Sequence, residues 1–386
     1  MAKANNASTG GQPSAQQANM IARNAVLTQS IDMLQAISTQ TLSGTIAGQV
    51  VNIPIRNVGL LKRLIVKLTF TVARSAAETQ NRTSFGPANA LSQVVFTDLA
   101  NQTRINTSGW HLHYLASARR LMAYGAAFTN DTPTNIGSNY TVISAPANFT
   151  AGNQTITMYY EIPIAYGDYD LRGAIFMSVV NATANLQLTI NPNFFVASTA
   201  DGTLAVYKST TTDLGTISAC TVQVYQNYLD QLPYTNKGAV LPLLDLSTAY
   251  LINNTVATGM VANQDFAVPY ANFRNFLSTF AIYDNNSALA AGTDINYWKL
   301  EAANYTNIFN VDPITNALMQ RNIINDDFPA GMYYFDSRRK PISTIQYGNM
   351  QLVMNPSSVT SGQLLVGYEA WAIIDQITQA GSLYNT

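Results

Sequence analysis

Two histidines, His111 and His113, and one cysteine, Cys220, are the whole imidazole and thiol complement of this 386-residue chain. One thiol excludes an intrachain disulfide and the multi-thiolate zinc sites. The histidines fall where a helix is predicted from Ser108, and an i, i+2 spacing there points them apart by about 200°. On a strand they would share a face, yet zinc would still need a third ligand from a distant carboxylate. The plainer reading is a pair of polar residues beside Trp110 and Tyr114 that anchor a helix. No Gly-x-Ser-x-Gly elbow marks a nucleophile for a Ser-His-Asp arrangement. The carboxylate pairs Asp168/Asp170 and Asp326/Asp327 could flank a sugar as a glycosidase requires. Both sit in turn contexts, after Tyr166-Gly167 and before Phe328-Pro329, and turn chemistry accounts for them. Phosphate-binding glycine loops are absent from the sequence. Sequons such as Asn81-Arg82-Thr83 follow from the abundance of Asn and Thr. Neither a catalytic site, a metal site nor a cofactor site is expected. The densest basic run of the second half, Arg338-Arg339-Lys340, reads as a solvated loop, with a salt bridge between subunits as the sharper alternative.

Residues that do no chemistry must then serve a surface. Apolar residues make up 47% of the chain and charged ones only 11%, against about 25% charged in ordinary soluble domains. Asparagine occurs 38 times, so polarity comes from neutral amides and hydroxyls, a surface suited to packing against copies of itself. The net charge of −1 lacks the basic excess of a nucleic-acid binder. Residues 1–150 carry 11 Lys/Arg and 4 Asp/Glu, hence +7; residues 151–386 carry 9 and 17, hence −8. Without a dense basic cluster the two halves read as solvated, an anionic neighbour of the first half being the alternative. Neither an apolar export segment at Met1–Asn6 nor a run of about 18 apolar residues is present, so export and membrane spanning are not expected.

The elements that position this surface are mostly strands. Residues 1–14 have the composition of a flexible arm. From Ala15 to Ile37, Met20, Leu27, Ile31, Leu34 and Ile37 recur at helical spacing, which predicts an amphipathic helix docked on protein or lying at an interface. Beyond Gly44 the period becomes two: in 64–72 the even positions are Leu64, Val66, Leu68, Phe70 and Val72, a half-buried strand. Alternation returns at 186–190 and 221–225, with Asn-, Gly- and Pro-rich breaks throughout. A second helix is predicted over 108–122, with Leu112, Leu115 and Met122 on one face and Thr107 or Ser108 as cap.

The chain also resembles itself. Residues 54–61 parallel 269–276, both opening on proline. Met158-Tyr159-Tyr160 parallels Met332-Tyr333-Tyr334, residues 184–192 parallel 348–356, and 224–231 parallel 367–376. The four matches keep their order, which predicts a duplicated all-β unit with longer loops in the first copy and a junction between about Pro233 and Leu246.

Six strings carry a resemblance to a known family: residues 85–89, 108–113 (Ser-Gly-Trp-His-Leu-His), 228–233 (Tyr-Leu-Asp-Gln-Leu-Pro), 243–248, 291–297 and 345–349. They resemble the major capsid proteins of the tectiviruses, icosahedral phages with an internal membrane. The resemblance implies an all-β chain of two tandem jelly-roll β-sandwiches with an N-terminal amphipathic helix. The expected division is an arm at 1–14, helix and lead-in at 15–42, a first jelly roll at 43–238 and a second at 239–386. It implies a coat protein without enzymatic activity or cofactor, located in the virion and, during assembly, in the host cytoplasm. Implied partners are two further copies in a pseudo-hexameric homotrimer, neighbouring trimers, vertex (penton) and minor capsid proteins, and the viral inner membrane, with no direct nucleic-acid binding. Near that membrane the helix would present Lys3, Arg23, Leu27, Ile31 and Leu34. A host-attachment or glycan-binding β protein is the competing reading of the same neutral surface.

Overall fold

The computed structural model describes residues 14–74, 79–83, 86, 88–124, 142–144, 148–149, 152–179, 181–198, 204–235, 238–239, 246–272, 274–286, 288–303, 305–324 and 331–373. Helix α1 is Ala15–Gln29, closed at its start by a capping box in which Ser14 Oγ accepts from the Gln17 amide and Gln17 Oε1 from the Ser14 amide. It is shorter than the sequence pattern predicts. Ile31–Leu42 is a strand, paired from Ile31↔Asp230 to Leu42↔Cys220. Leu27, Ile31 and Leu34 fit a 3.6-residue period, but a long antiparallel ladder overrides so weak a local preference.

In the first unit one sheet orders Ile31–Leu42, Thr216–Asp230, Leu60–Arg74 and Gly152–Pro163, all antiparallel. The other orders Val50–Pro54, Asn185–Ile190, Leu91–Thr97 and Thr103–Thr107. Their inner faces share one core, in which Leu64, Val66, Leu68, Phe70 and Val72 meet Val94, Phe96, Leu186 and Leu188. Each such side chain removed from water contributes about 1.5–3 kcal/mol, so the period-two pattern largely decides which face turns inward. In chain order the eight strands switch between sheets at every step except the hairpin from Leu91–Thr97 to Thr103–Thr107, the connectivity of a jelly roll.

The second unit repeats the plan. Thr248–Thr258, Gln363–Ile373, Asn275–Asn285 and Met332–Asp336 form one sheet, and Phe266–Pro269, Met350–Pro356, Ile295–Ala302 and Tyr305–Val311 the other. Pro54 and Pro269 end equivalent strands. Leu186, Leu188 and Ile190 match Met350, Leu352 and Met354, all inward. The Met-Tyr-Tyr match lands on equivalent strands but opposite faces. Met158 and Tyr160 point into the first core, whereas Tyr333 points into the second and Met332 and Tyr334 point away from it.

The last strand of each unit's second-listed sheet runs directly into a helix: Thr103–Thr107 into α2 (Gly109–Tyr124), and Tyr305–Val311 into α3 (Pro313–Ile324). Sequence periodicity predicts α2 but not α3. Thr103–Thr107 also pairs, in parallel, with Thr248–Thr258 through Ile105↔Ile252 and Asn106↔Asn253. One ten-stranded sheet therefore runs through both jelly rolls.

Candidate assembly surfaces

The residues whose types could do chemistry are dispersed. His111 and His113 are both buried on α2. Thr107 Oγ1 lies 2.7 Å from His111 Nδ1, and burial lowers the His113 pKa to about 4, so its imidazole stays neutral in a packed interior. Asp168 and Asp170 serve different cations: Asp168 lies 3.3 Å from Arg63 Nη2, while Asp170 holds Arg172 through its Nε at 3.0 Å and Nη2 at 2.5 Å. Asp170 also closes a turn, its carbonyl accepting from the Gly167 amide. Asp326 and Asp327 lie outside the described residues. Arg338 folds back on Asp336, with Nε to Oδ1 and Nη2 to Oδ2 both 2.9 Å, while Arg339 and Lys340 are exposed. Among the described residues no three His, Cys, Asp or Glu come together as a metal would require.

Composition does not reveal the buried charges, of which Arg104 and Glu369 are two. Arg104, 2% exposed, donates Nε to Asp98 Oδ2 at 2.7 Å and Nη1 to the Gly173 carbonyl at 2.9 Å; burial pushes its pKa down while Asp98 pulls it back. Glu369, buried in the ten-stranded sheet, accepts from the hydroxyls of Tyr250 and Ser278. Each ties strands together rather than facing a ligand.

What the fold builds is a joint. Leu112 and Leu115 of α2 point into the first core, while Trp110, Tyr114 and Ala118 pack on Phe280, Ile282, Met332, Tyr334 and Leu365 of the second jelly roll. Tyr114 stacks on Phe280 with centroids 5.2 Å apart and planes 12° from parallel. His111 lies over Gly367, where a β-carbon would come within 2.4 Å of its Cδ2 and Nε2. Beside the joint is a cleft of about 430 Å³ lined by Gln93, Asn106, Asn191, Asn254 and other uncharged residues. Across it Asn254 Nδ2 donates to Ser108 Oγ at 2.6 Å.

α3 is built the other way round. Asp312 caps it, accepting from the amides of Ile314 and Thr315 at 3.0 and 2.9 Å and holding its own pKa below the usual range, chiefly through the Thr315 hydroxyl. Asn316 and Gln320 are buried, donating to the carbonyls of Met332 at 3.0 Å and Tyr334 at 2.5 Å. Ile314, Leu318 and Met319 are exposed, at 67%, 55% and 38%. Asp312-Pro313, a cap before an N1 proline, is the sequence signal that marks this helix.

The N-terminal end is the third surface. α1 buries Ala22 and Val26 against Leu60, Ala165, Leu171, Ala174 and Leu229, with Leu27 half-buried beside them. Arg23 is half-buried, and Ile31 and Leu34 are exposed on the following strand. Lys3 lies outside the described residues. Met20, Ile21 and, on the loop below α1, Tyr169 are also exposed. Among the described residues no helix is long and apolar enough to cross a membrane.

Two family models match in tandem: the P3 major capsid protein N-terminal model over residues 2–232 and the C-terminal model over 247–384. The chain belongs to the P3 major capsid protein family. The major capsid protein P3 of Enterobacteria phage PRD1 is 39% identical to it over 374 residues, 96% of this chain and 94% of that one. Solved structures share the fold at much lower identity. The major capsid protein of Sulfolobus turreted icosahedral virus superposes with a TM-score of 0.62 at 11% identity, covering 89% of this chain and 97% of that one. For the PBCV-1 capsid the TM-score is 0.54 at 12% identity, with 89% and 94% covered. For the major capsid protein P2 of bacteriophage PM2 it is 0.50 at 8% identity, with 90% and 99% covered. As a P3-family chain with the double jelly-roll fold, this protein is a viral structural protein.

Proposed function

We propose that this P3-family chain is the coat subunit of an icosahedral virion, assembling as a homotrimer whose six jelly rolls approximate a hexagon. The observation that carries the reading is the 39% identity to a phage major capsid protein across 96% of the chain. Three copies of a duplicated domain fill a hexagonal lattice position while three-fold symmetry closes each contact. The low charge supports broad polar contacts between neighbouring trimers, and with vertex and minor capsid proteins at the edges of the lattice. The first jelly roll takes residues 43–238 and the second 239–386. The reading includes no catalysis, no cofactor and no direct nucleic-acid contact, with the protein in the virion and, before assembly, in the host cytoplasm.

The end carrying α1 faces the internal membrane. We assign Lys3, Arg23, Leu27, Ile31 and Leu34 to that membrane contact, with the exposed Met20 and Ile21 adding apolar area. Light scattering of the purified chain at low micromolar concentration tests the assembly: a species near three times 41.9 kDa is expected, and a persistent monomer would refute it. Removing residues 1–29 should leave the trimer intact but abolish co-sedimentation with anionic vesicles. Unchanged sedimentation would remove the membrane assignment alone.

A further inference from the structure

We infer that the joint between the two jelly rolls inside the chain is repeated between chains. In this arrangement the Tyr305–Val311 edge of one subunit pairs in parallel with the Ile31–Leu42 edge of the next, and α3 covers that neighbour's first sheet. The inference rests on the self-assembly reading and specifies its contact.

Three observations converge. First, the two strands are terminal in their sheets: Ile31–Leu42 at one end of the first jelly roll's sheet, Tyr305–Val311 at one end of the second's. Among the described residues neither has a partner on its outer side. They occupy the places of the two strands that do pair inside the chain, Thr248–Thr258 and Thr103–Thr107. A long unpaired edge is a template for another chain.

Second, the helices correspond at three positions that decide the contact. Counted from the first residue of each helix, Ile314 and Leu318 hold the places of Trp110 and Tyr114, the side chains with which α2 grips the next jelly roll. Asn316 holds the place of Leu112, the side chain turned to the helix's own jelly roll. The open face of α3 therefore includes the positions that α2 uses and extends to Met319, the counterpart of Leu115.

Third, the receiving surface exists. The spacing set by Pro54 and Pro269 carries Phe280 and Ile282, which receive α2, onto Ile65 and Lys67. Both are half-buried on the outer face of Leu60–Arg74, with Lys67 Nζ 5.7 Å from the centre of the Tyr159 ring. Apolar α3 side chains meet an isoleucine and the aliphatic stem of a lysine there. Repeating a head-to-tail joint three times closes a ring with no free edge.

Carried through the paired ladders, Phe280 onto Ile65 takes Gly367 onto Tyr225 and Asn253 onto Gln35, so Asn310 of one subunit falls beside Gln35 of the next, as Asn106 lies beside Asn253. The test is Gln35→Cys/Asn310→Cys in the full chain, treated with a short bismaleimide; the native Cys220 is buried. The expected product on a denaturing gel is a covalent trimer, with both single variants remaining single chains. A protein that is trimeric by light scattering yet yields only single chains overturns the joint and leaves the trimer standing. A monomer in solution overturns both. Ile314→Glu/Leu318→Glu alters residues exposed in the single chain, so its circular dichroism should match the parent while its solution mass falls threefold. An unchanged trimer would contradict the inference.

Discussion

α2 and α3 stand at the same point of two copies of one fold and differ in which face they bury. α2 is apolar on both sides and is held between two jelly rolls of its own chain. α3 turns amides inward to the edge carbonyls of its own jelly roll and isoleucine, leucine and methionine outward. Burying hydrogen-bonded amides while leaving apolar side chains in water is a poor choice for a lone domain. It becomes favourable once a second surface removes those side chains from water. Duplication thus leaves one joint satisfied within the chain and an equivalent one unfilled, and the difference between the helices records which is which.

The comparison breaks most severely at Trp110. Trp110→Ala empties the centre of the internal joint and should lower stability by about 3–5 kcal/mol, measured by chemical unfolding. Ile314→Ala, at the matching position of α3, should cost a single chain under about 0.5 kcal/mol. Equal losses would erase the distinction between the helices.

Acid comes next. The His113 pKa is lowered to about 4 by burial, below the ordinary value of about 6.5. The unfolded chain therefore binds a proton that the folded chain refuses between those values. The stability tied to neutral His113 is complete above about pH 6.5 and falls as the pH drops toward 4, by roughly 2–3 kcal/mol. Both histidines of the chain lie on α2, so this loss belongs to the internal joint. His113→Gln should flatten the pH dependence of the unfolding midpoint over that range; a slope equal to the parent's would place the sensitivity elsewhere.

Gly367→Ala puts a methyl within 2.4 Å of the His111 ring and should cost about 1–3 kcal/mol as an overpacked contact. A neutral effect would mean that α2 is held less tightly than its contacts indicate.

The smallest effect lies inside the second jelly roll. Burial raises the Asp265 pKa, but hydrogen bonds from Tyr297, Asn355 and Lys299 outweigh it and lower the value to about 2. Its stabilising contribution is present above about pH 4 and is lost as the pH falls through 2. The carboxylate is 44% exposed, so solvent screening limits it to under about 1 kcal/mol. Asp265→Asn should differ from the parent at pH 5–7 and converge with it below pH 2, in contrast to the α2 variants.

Much of the fold is legible in the residues because period-two alternation is a direct imprint of a two-faced sheet. Leu64 to Val72 show it, as do the prolines that end equivalent strands. The boundary at Ser30 was not, since Leu27, Ile31 and Leu34 satisfy a helical period and only the distant ladder to 216–230 decides against it. Met-Tyr-Tyr repeats as letters while its faces exchange, because strand register is set by pairing rather than by composition. α3 escaped notice for the reason that makes it informative: its buried residues are Asn316 and Gln320, and hydrophobic periodicity looks for the reverse. The assembly surfaces were legible only as a shortage of charge; their location requires knowing which sheet edges remain open.

Hydrogen exchange on the intact oligomer, read strand by strand, addresses the repeated joint most directly. The expected result is that amides of 31–42 and 305–311 are protected to the same degree as those of 103–107 and 248–258. They should lose that protection in Ile314→Glu/Leu318→Glu. Rapid exchange along both outer edges in a protein that is still trimeric would contradict it.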